Sequence, residues 1–402
     1  FAGSGDTYTA TFTPTTDGPS TIKVIAGDYT DAPGNGNLVS NTFAWTYDTT
    51  GPTMTITATG LNTGGSSNAA TVALTFTSNE ATTDFDANDI TLSGGTIGAL
   101  SGSGTTYTAT FTPSGVQGSK TIDVAVNLFT DSSGNQNSAA PQFIYTYDTV
   151  VPTMTITSGV GVSGQTTNDA TIALTFTSSE STTNFEVGDI TLNGGSIGAL
   201  SGSGTTYTAT FTPTTDGATD VSVAASAFTD AAGNDNTVSN TFAWTYDGTA
   251  PTMTITATGL SSGGSSNAAT VALTFTSSES TTNFEVGDIT LNGGSIGALS
   301  GSGTTYTATF TPTTDGATDV SVAASAFTDA AGNDNTVSNT FAWTYDGTAP
   351  TMTITASGLS TGGSSKAATI ALTFTSSEPT ANFDINDITL SGGTLGALGV
   401  TS

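Results

Sequence analysis

The hydrophobic residues of this chain alternate with small or hydroxyl residues in short runs. In residues 242–246, Phe, Trp and Tyr alternate with Ala and Thr, and after an Asp-Gly-Thr-Ala-Pro segment the alternation resumes at Met253 and Ile255. A period of two indicates strands with one buried face. Because proline cannot continue a hydrogen-bonded ladder, Pro251 marks a hinge between the last strand of one domain and the first strand of the next.

Near copies of this stretch begin at Phe43, Phe143 and Phe341. The hinge prolines recur about every 100 residues, which is the signature of a tandem array. The Met residues share one repeat position and the Trp residues share another, where Tyr145 stands in the remaining copy. We predict complete repeats at 49–148, 149–247 and 248–346, the C-terminal half of a repeat at 1–48, and the N-terminal half of a repeat at 347–402.

Within residues 149–247 the alternation predicts about seven short strands. The opposite faces of these strands are nearly all Thr or Ser, which suits a half-exposed pleat. Gly-rich and Asp/Asn-rich turns separate them, and no segment has helical periodicity. The predicted fold class is all-β, as tandem immunoglobulin-like β-sandwich domains in a linear array. The predicted inward residues are Met154, Ile156, Ile172, Leu174, Phe176, Ile190, Leu192, Ile197, Leu200, Tyr207, Ala209, Phe211, Val221, Val223, Ala225, Phe242, Trp244 and Tyr246.

Charge narrows the classes of partner. Three Lys and no Arg or His stand against 32 acidic residues, which gives a formal net charge of -29. Nucleic acid and anionic membrane surfaces are therefore excluded as natural partners, and cations are the expected ones. Cysteine is absent, so disulfides and thiolate metal sites are excluded. No stretch approaches the roughly 18 apolar residues of a membrane span, so we expect no direct membrane insertion.

The acidic residues concentrate at one end of each predicted domain. If the first strand runs away from the hinge, the loops after strands two, four and six return to it, and the hinge itself adds an Asp. Carboxylate and amide oxygens are the ligands that Ca²⁺ takes in sets of about 6 to 8. We predict calcium at the junctions, bound by Asp48, Glu80, Asp89, Asp131 and Asn135; Asp148, Glu180, Asp189, Asp230 and Asn234; Asp247, Glu279, Asp288, Asp329 and Asn333; and Asp346, Glu378 and Asp387.

Other interpretations of these residues compete with calcium. Asp, Asn and Gly also populate loops simply because they make turns, but their recurrence at one pole of every repeat favours a metal site. Paired carboxylates are able to act as acid and base, yet without His, Cys or Arg we expect no enzyme and no catalytic residue. Phe242, Trp244 and Tyr246 are read as core rather than as a sugar-stacking platform. The row from Thr206 to Thr212 is read as an exposed strand face rather than an ice-binding surface.

Several short segments together resemble a known family. They are Ser179-Glu180, Phe185 followed by Gly188-Asp189-Ile190-Thr191, Tyr207-Thr208-Ala209, the run from Phe228 to Asn234, and Tyr246-Asp247 with Pro251. This set resembles the tandem bacterial Ig-like domains of large repetitive surface adhesins, and the resemblance covers essentially the whole chain. It implies a secreted, calcium-stiffened extender array and implies no catalytic activity.

Two functions remain open at this stage. The first is an extender stalk of a bacterial surface adhesin, located at the cell surface. The second is a subunit of a secreted filament, in which neighbouring copies complete the halves at 1–48 and 347–402 head to tail. Joining residues 399–402 to residues 1–4 would make one complete sandwich. The chain is expected to be either an excerpt of a longer array or such a subunit.

Overall fold

A computed structural model describes residues 2–159 and 163–399 of the chain, and its regular structure is β-strand with a few three-residue 3-10 turns. The all-β prediction is confirmed. The chain divides into two compact units: residues up to Gln165 together with Asp169–Thr245 form one, and Thr166–Asn168 together with the chain from Tyr246 onward form the other. The predicted join of residues 399–402 to residues 1–4 lies partly outside the described residues.

The first complete repeat is a sandwich of two four-stranded sheets. Its strands are β5 (Met54–Ala58), β6 (Ser66–Ser67), β7 (Val72–Thr82), β8 (Ile90–Ser93), β9 (Gly95–Ile97), β10 (Ser101–Pro113), β11 (Gly118–Val124) and β12 (Phe143–Tyr147), after β1 (Ala2–Ser4), β2 (Thr7–Thr9), β3 (Gly18–Ile22) and β4 (Phe43–Tyr47) of the first segment. One sheet has the order β5-β7-β10-β9 and the other β6-β12-β11-β8. β6 runs parallel to β12.

The second and third repeats carry the equivalent strands. In the second they are β13 (Met154–Ser158), β14 (Thr166–Thr167), β15 (Ile172–Thr182), β16 (Ile190–Asn193), β17 (Gly195–Ile197), β18 (Ser201–Pro213), β19 (Gly217–Val223) and β20 (Phe242–Tyr246). In the third they are β21 (Met253–Ala257), β22 (Ser265–Ser266), β23 (Val271–Thr281), β24 (Ile289–Asn292), β25 (Gly294–Ile296), β26 (Ser300–Pro312), β27 (Gly316–Val322) and β28 (Phe341–Tyr345). Their first sheets have the orders β13-β15-β18-β17 and β21-β23-β26-β25.

The core of each repeat lies between its two sheets, mainly on the predicted inward faces. Ala225 was predicted to face inward, but β19 ends at Val223 and Ala225 beyond it is exposed. In the second repeat Phe211 is fully buried and meets the Trp244 ring edge to face, with centroids 4.9 Å apart. Phe242 is buried beside them, so the prediction that these aromatic residues form core rather than a sugar platform is confirmed for both. Tyr246 is only partly buried. The Thr side chains that alternate with Tyr207, Ala209 and Phe211 along β18 are exposed.

Three details differ from the sequence prediction. β15 continues past its apolar residues to Thr182, so Glu180 lies on the strand rather than in the loop after it. The extension is held by pairing of Thr182 with Gly204, beyond a shift in register. The two-residue strands β6, β14 and β22 and the 3-10 turns at Ala87–Asp89, Val187–Asp189, Val286–Asp288 and Ile385–Asp387 were not predicted, because such short elements show no periodicity.

The two terminal segments expose residues whose equivalents are core elsewhere. The last segment contains β29 (Met352–Ala356) and β30 (Leu372–Ser376), which pair with each other. Met352 is 38% exposed, whereas the equivalent Met253 is 3% exposed. In the first segment Phe43 is 64% exposed, whereas Phe143 is 3% exposed. In this structure neither segment closes a sandwich around its apolar face.

Candidate metal centre

Each complete repeat holds a group of three carboxylates whose nearest oxygens all lie within 4.8 Å of one another. Each group takes one Asp from the hinge, one Glu from the long strand β7, β15 or β23, and one Asp from the loop before the last strand. The Glu and the hinge Asp are half-buried, and the loop Asp is buried. The groups are Asp48, Glu80 and Asp131; Asp148, Glu180 and Asp230; and Asp247, Glu279 and Asp329.

The hinge Asp reaches its group because of the strand that precedes it. β12 ends at Tyr147, and the backbone N–H of Asp148, the next residue, donates to the carbonyl of Ser67 on the parallel strand β6 (3.1 Å). One carboxylate oxygen of Asp148 accepts from the backbone N–H of Val150 (2.9 Å). The last strand of the first repeat therefore delivers a carboxylate to the second repeat.

The loop Asp is positioned by its own turn. Oδ1 of Asp230 accepts hydrogen bonds from the backbone N–H groups of Ala232 (2.8 Å) and Asn234 (2.9 Å), as Asp side chains commonly do in turns. A backbone bridge joins Asp230 to Thr182 at the end of β15. That bridge brings Glu180, two residues earlier on the strand, alongside the loop.

The predicted Asn ligands brace the cluster through their amide nitrogens. In the second repeat Nδ2 of Asn234 donates to Oδ2 of Asp230 (2.9 Å) and to the backbone carbonyl of Asp148 (3.0 Å). Asn135 and Asn333 make the same two hydrogen bonds in the other repeats. The Asn thereby ties the loop to the hinge and holds two members of each group in place.

Crowding of the carboxylates shifts the pKa of the Glu. Burial is the largest cause that raises the pKa of Glu80 above its ordinary value, and the charges of Asp48 and Asp131 add to it. The pKa of Glu180 is raised in the same way, first by burial and next by the charge of Asp148. Both shifts favour the neutral form of the Glu, because burial and then the neighbouring negative charges disfavour its ionised form.

The loop Asp behaves in the opposite way. Burial by itself raises the pKa of Asp230, but the hydrogen bonds from the Asn234 side chain and from the backbone N–H groups of the turn outweigh it. The net result is a lowered pKa, and the same balance holds for Asp131 with Asn135. The lowered pKa favours the ionised form of the loop Asp, whereas the raised pKa favours the neutral form of the Glu beside it.

The remaining predicted residues lie outside the three groups. Oδ2 of Asp89 accepts from the backbone N–H of Asp86 (2.8 Å) and closes the capping box of a 3-10 turn. Asp189, Asp288 and Asp387 make the equivalent hydrogen bond. Asp346 and Asp387 are exposed and Glu378 is half-buried. Among the described residues, none of these six predicted positions belongs to a group of three whose oxygens lie within 4.8 Å of one another.

Sequence reasoning missed two sets of Asn residues. Asn236 is buried, and its Oδ1 accepts from the backbone N–H groups of Ala227 and Phe228, so it pins the start of the acidic loop. Asn68 contacts the acidic loop of the following repeat, as described below. Both positions recur as Asn in every complete repeat, and that recurrence is the signal that would have found them.

The comparisons with known proteins identify the family. The bacterial Ig-like domain matches residues 48–147, 148–246 and 247–345. The chain therefore belongs to the bacterial Ig-like domain family and contains three tandem copies of the domain, as the sequence predicts. No curated protein matches the chain.

Solved structures similar to this chain include invasin and InvD. Invasin, described as a bacterial integrin-binding protein, is 16% identical with a TM-score of 0.31, and the match covers 67% of this chain and 56% of that one. InvD of Yersinia pseudotuberculosis is 14% identical with a TM-score of 0.34, over 74% of this chain and 98% of that one. This chain thus spans about half the length of the invasin structure. In the described residues no helix is long and apolar enough to cross a membrane.

Proposed function

We propose that the chain is a segment of the extracellular stalk of a bacterial surface adhesin, stiffened by calcium at the start of each repeat. The observation that carries the proposal is the recurrence of one acidic group in all three complete repeats, with a hinge Asp in each. A stalk requires that neighbouring domains be held at a fixed angle. A cation held jointly by the hinge and the following domain would do that.

The donor set fits calcium. Three carboxylates offer up to six hard oxygens. Burial is the main cause that raises the pKa of Glu80 and Glu180, and repulsion by the charges of the neighbouring Asp residues raises it further. A bound Ca²⁺ would supply the positive charge that offsets this repulsion. In the second repeat the residues that would hold it are Asp148, Glu180 and Asp230, with Asn234 as their brace. Asp189 and its equivalents cap 3-10 turns and are not included among the proposed ligands.

Calcium titration of the full chain tests the proposal. We expect calcium to raise the melting temperature and to lengthen the particle measured by small-angle scattering, because a ligand of the native state stabilises it by mass action. Glu180→Gln removes one charge from the second repeat and should weaken calcium binding there. Glu186→Gln, an exposed Glu in the same repeat outside the group, is the matched control and should bind as the unaltered chain does. Melting and scattering curves that do not respond to calcium would refute the proposal.

A second candidate is a subunit of an extracellular filament. It is favoured by the exposed apolar faces of the terminal segments, which carry the strand types that pair with each other inside every complete repeat. Residues of one copy would then bury the exposed face of the next, which is a head-to-tail contact that does not close. Filaments seen by electron microscopy and lost when residues 1–48 are deleted would support this candidate. A chain that stays monomeric at high concentration would exclude it.

A further inference from the structure

Asn68 of the first repeat lies directly against the acidic loop of the second repeat. Its backbone N–H donates to the carbonyl of Ala232 (3.0 Å), and its Nδ2 donates to Oδ1 of Asn234 (3.0 Å). All three residues belong to the same compact unit. Asn68 follows β6, as Asp148 follows the neighbouring strand β12, so two adjacent strands of one repeat each send a polar residue to the same loop of the next.

The contact made by Asn68 continues into the acidic group. Asn234 is 7% exposed, and its Nδ2 donates to Oδ2 of Asp230 and to the carbonyl of Asp148. Its oxygen is the acceptor for Asn68. A continuous series of hydrogen bonds therefore joins the preceding repeat to two of the three carboxylate residues through one buried amide.

At the third repeat the equivalent residue, Asn168, lies beside the equivalent glycine of the acidic loop. A Cβ atom placed on Gly233 would lie 3.7 Å from Oδ1 of Asn68, and one on Gly332 would lie 3.7 Å from Nδ2 of Asn168, the residue equivalent to Asn68. In the second and third repeats, an Asn of the preceding repeat thus lies beside the glycine of the acidic loop.

We propose that Asn68 and Asn168 are positioning residues that couple cation binding in one repeat to the orientation of the repeat before it. The inference rests on the proposed calcium function. A cation that fixes the loop Asp and the hinge also fixes Asn234 as an acceptor for Asn68. By reciprocity, docking of Asn68 raises the cation affinity of the second repeat by the factor by which the cation strengthens docking.

The same position sets how strongly a junction depends on the cation. Residue 366 is its equivalent in the last segment, and there the chain has Lys. An ammonium at this position would lie beside the amide that braces the carboxylates, and its charge would take over part of the role of the cation. We therefore expect Lys at this position to lessen the dependence of a junction on the cation.

The test follows the junction between the first two repeats in the full chain. The chain has no Cys, so spin labels on Thr106→Cys and Thr206→Cys, both exposed strand positions, report the distance between the two repeats. Calorimetry with calcium measures binding independently. The variants are Asn68→Ala and Asn68→Lys. The matched control is Asn267→Ala, which lies in the identical sequence Ser-Ser-Asn-Ala-Ala of the third repeat.

We expect calcium to narrow the distance distribution of the unaltered chain and of Asn267→Ala. In Asn68→Ala the distribution should stay broader, and the midpoint of its calcium response should rise about threefold to tenfold, the range of one hydrogen bond between partly buried groups. In Asn68→Lys the distribution should be narrow even in chelator, with weaker calcium binding. If Asn68→Ala responds as the unaltered chain does, the coupling is overturned and the calcium function stands. If the unaltered chain neither binds calcium nor narrows, both are overturned.

Discussion

The complete repeats and the first segment use the same residues in two different settings. The acidic loop forms in both: Asn35 of the first segment donates its backbone N–H to Oδ1 of Asp31 (2.7 Å) and its Nδ2 to Oδ2 (2.9 Å), as Asn135 does to Asp131. The core does not form in both. Phe12 is 49% exposed, whereas Phe111 at the equivalent position is fully buried.

This difference separates short-range from long-range stabilisation. An Asp and an Asn four residues apart satisfy each other and the turn between them without any help from other strands. A buried Phe needs the facing sheet, which only a complete repeat provides. Both kinds of stabilisation meet in the groups of three carboxylates, because the loop Asp joins such a group only where the hinge Asp and the strand Glu are brought to it.

The largest expected effect comes from the core. Phe211→Ala should destabilise the second repeat by about 3 to 5 kcal/mol, since it leaves a cavity beside Trp244. The equivalent change in the first segment, Phe12→Ala, should cost only about 0.5 to 1.5 kcal/mol, because that ring is half exposed and its main contact is with the Trp45 ring, 5.0 Å away. The loss of unfolding free energy in each variant is measured by urea unfolding. The unfolding is followed by the fluorescence of Trp244 or Trp45, with the other Trp residues replaced by Phe. Equal losses at the two positions would contradict the comparison.

A smaller effect is expected from the brace of the acidic loop. Asn234→Ala leaves the buried Oδ2 of Asp230 and the carbonyl of Asp148 without their donor, which should cost about 1 to 3 kcal/mol. Asn35→Ala removes the equivalent donor in a loop open to water, so the loss should stay below about 0.5 kcal/mol. The same fluorescence measurement applies, in the presence of chelator. A loss at Asn234 no larger than at Asn35 would show that the brace does not act on folding.

The fold was predictable from the sequence because its main signals are local and repeated. Alternation along β18 and β20 identifies the inward residues, and the recurrence of Met and Trp fixes the period. The error in β15 has a physical reason: beyond Phe176 the strand carries Ser, Thr and Glu with no apolar alternation, and its end is kept extended by pairing of Thr182 with Gly204 and Asp230. Strand pairing between residues about twenty positions apart cannot be recognised from the local pattern of hydrophobic and polar residues.

The candidate site was predictable in its residue types and less so in its membership. Recurrence selects Glu180 and Asp189 equally well, since both are acidic in every repeat. The structure separates them, because Glu180 lies on a strand that bridges to the acidic loop, whereas Asp189 caps a 3-10 turn. The contact of Asn68 with Asn234 was out of reach, because it joins residues of different repeats. Contacts of that kind depend on how one domain follows another.

The smallest expected effect is a pH dependence of the first two complete repeats that the first segment lacks. The pKa of Glu180 is raised above its ordinary value of 4.5 in the folded chain, so the native state binds more protons than the unfolded state just above pH 4.5. Stability therefore increases as the pH falls towards about 4.5 and is lost as the pH rises through the raised pKa. The pKa of Asp230 is lowered from 3.8, so stability that depends on its charge is lost as the pH falls below 3.8.

In chelator, the melting temperature reported by Trp244 should thus increase from pH 7 towards about pH 4.5 and decrease below about pH 3.8. Glu180→Gln should flatten the increase, and Glu186→Gln should retain it, which separates the group from the general relief of negative charge that acidification brings to the whole chain. Saturating calcium should also flatten the increase, because the bound cation takes over the neutralisation that a proton otherwise provides. The first segment has the Asp31 turn but no Glu beside it, so Trp45 should report no such increase beyond the general one. If the melting temperature of Glu180→Gln increases on acidification as much as that of the unaltered chain, the increase originates outside the acidic group.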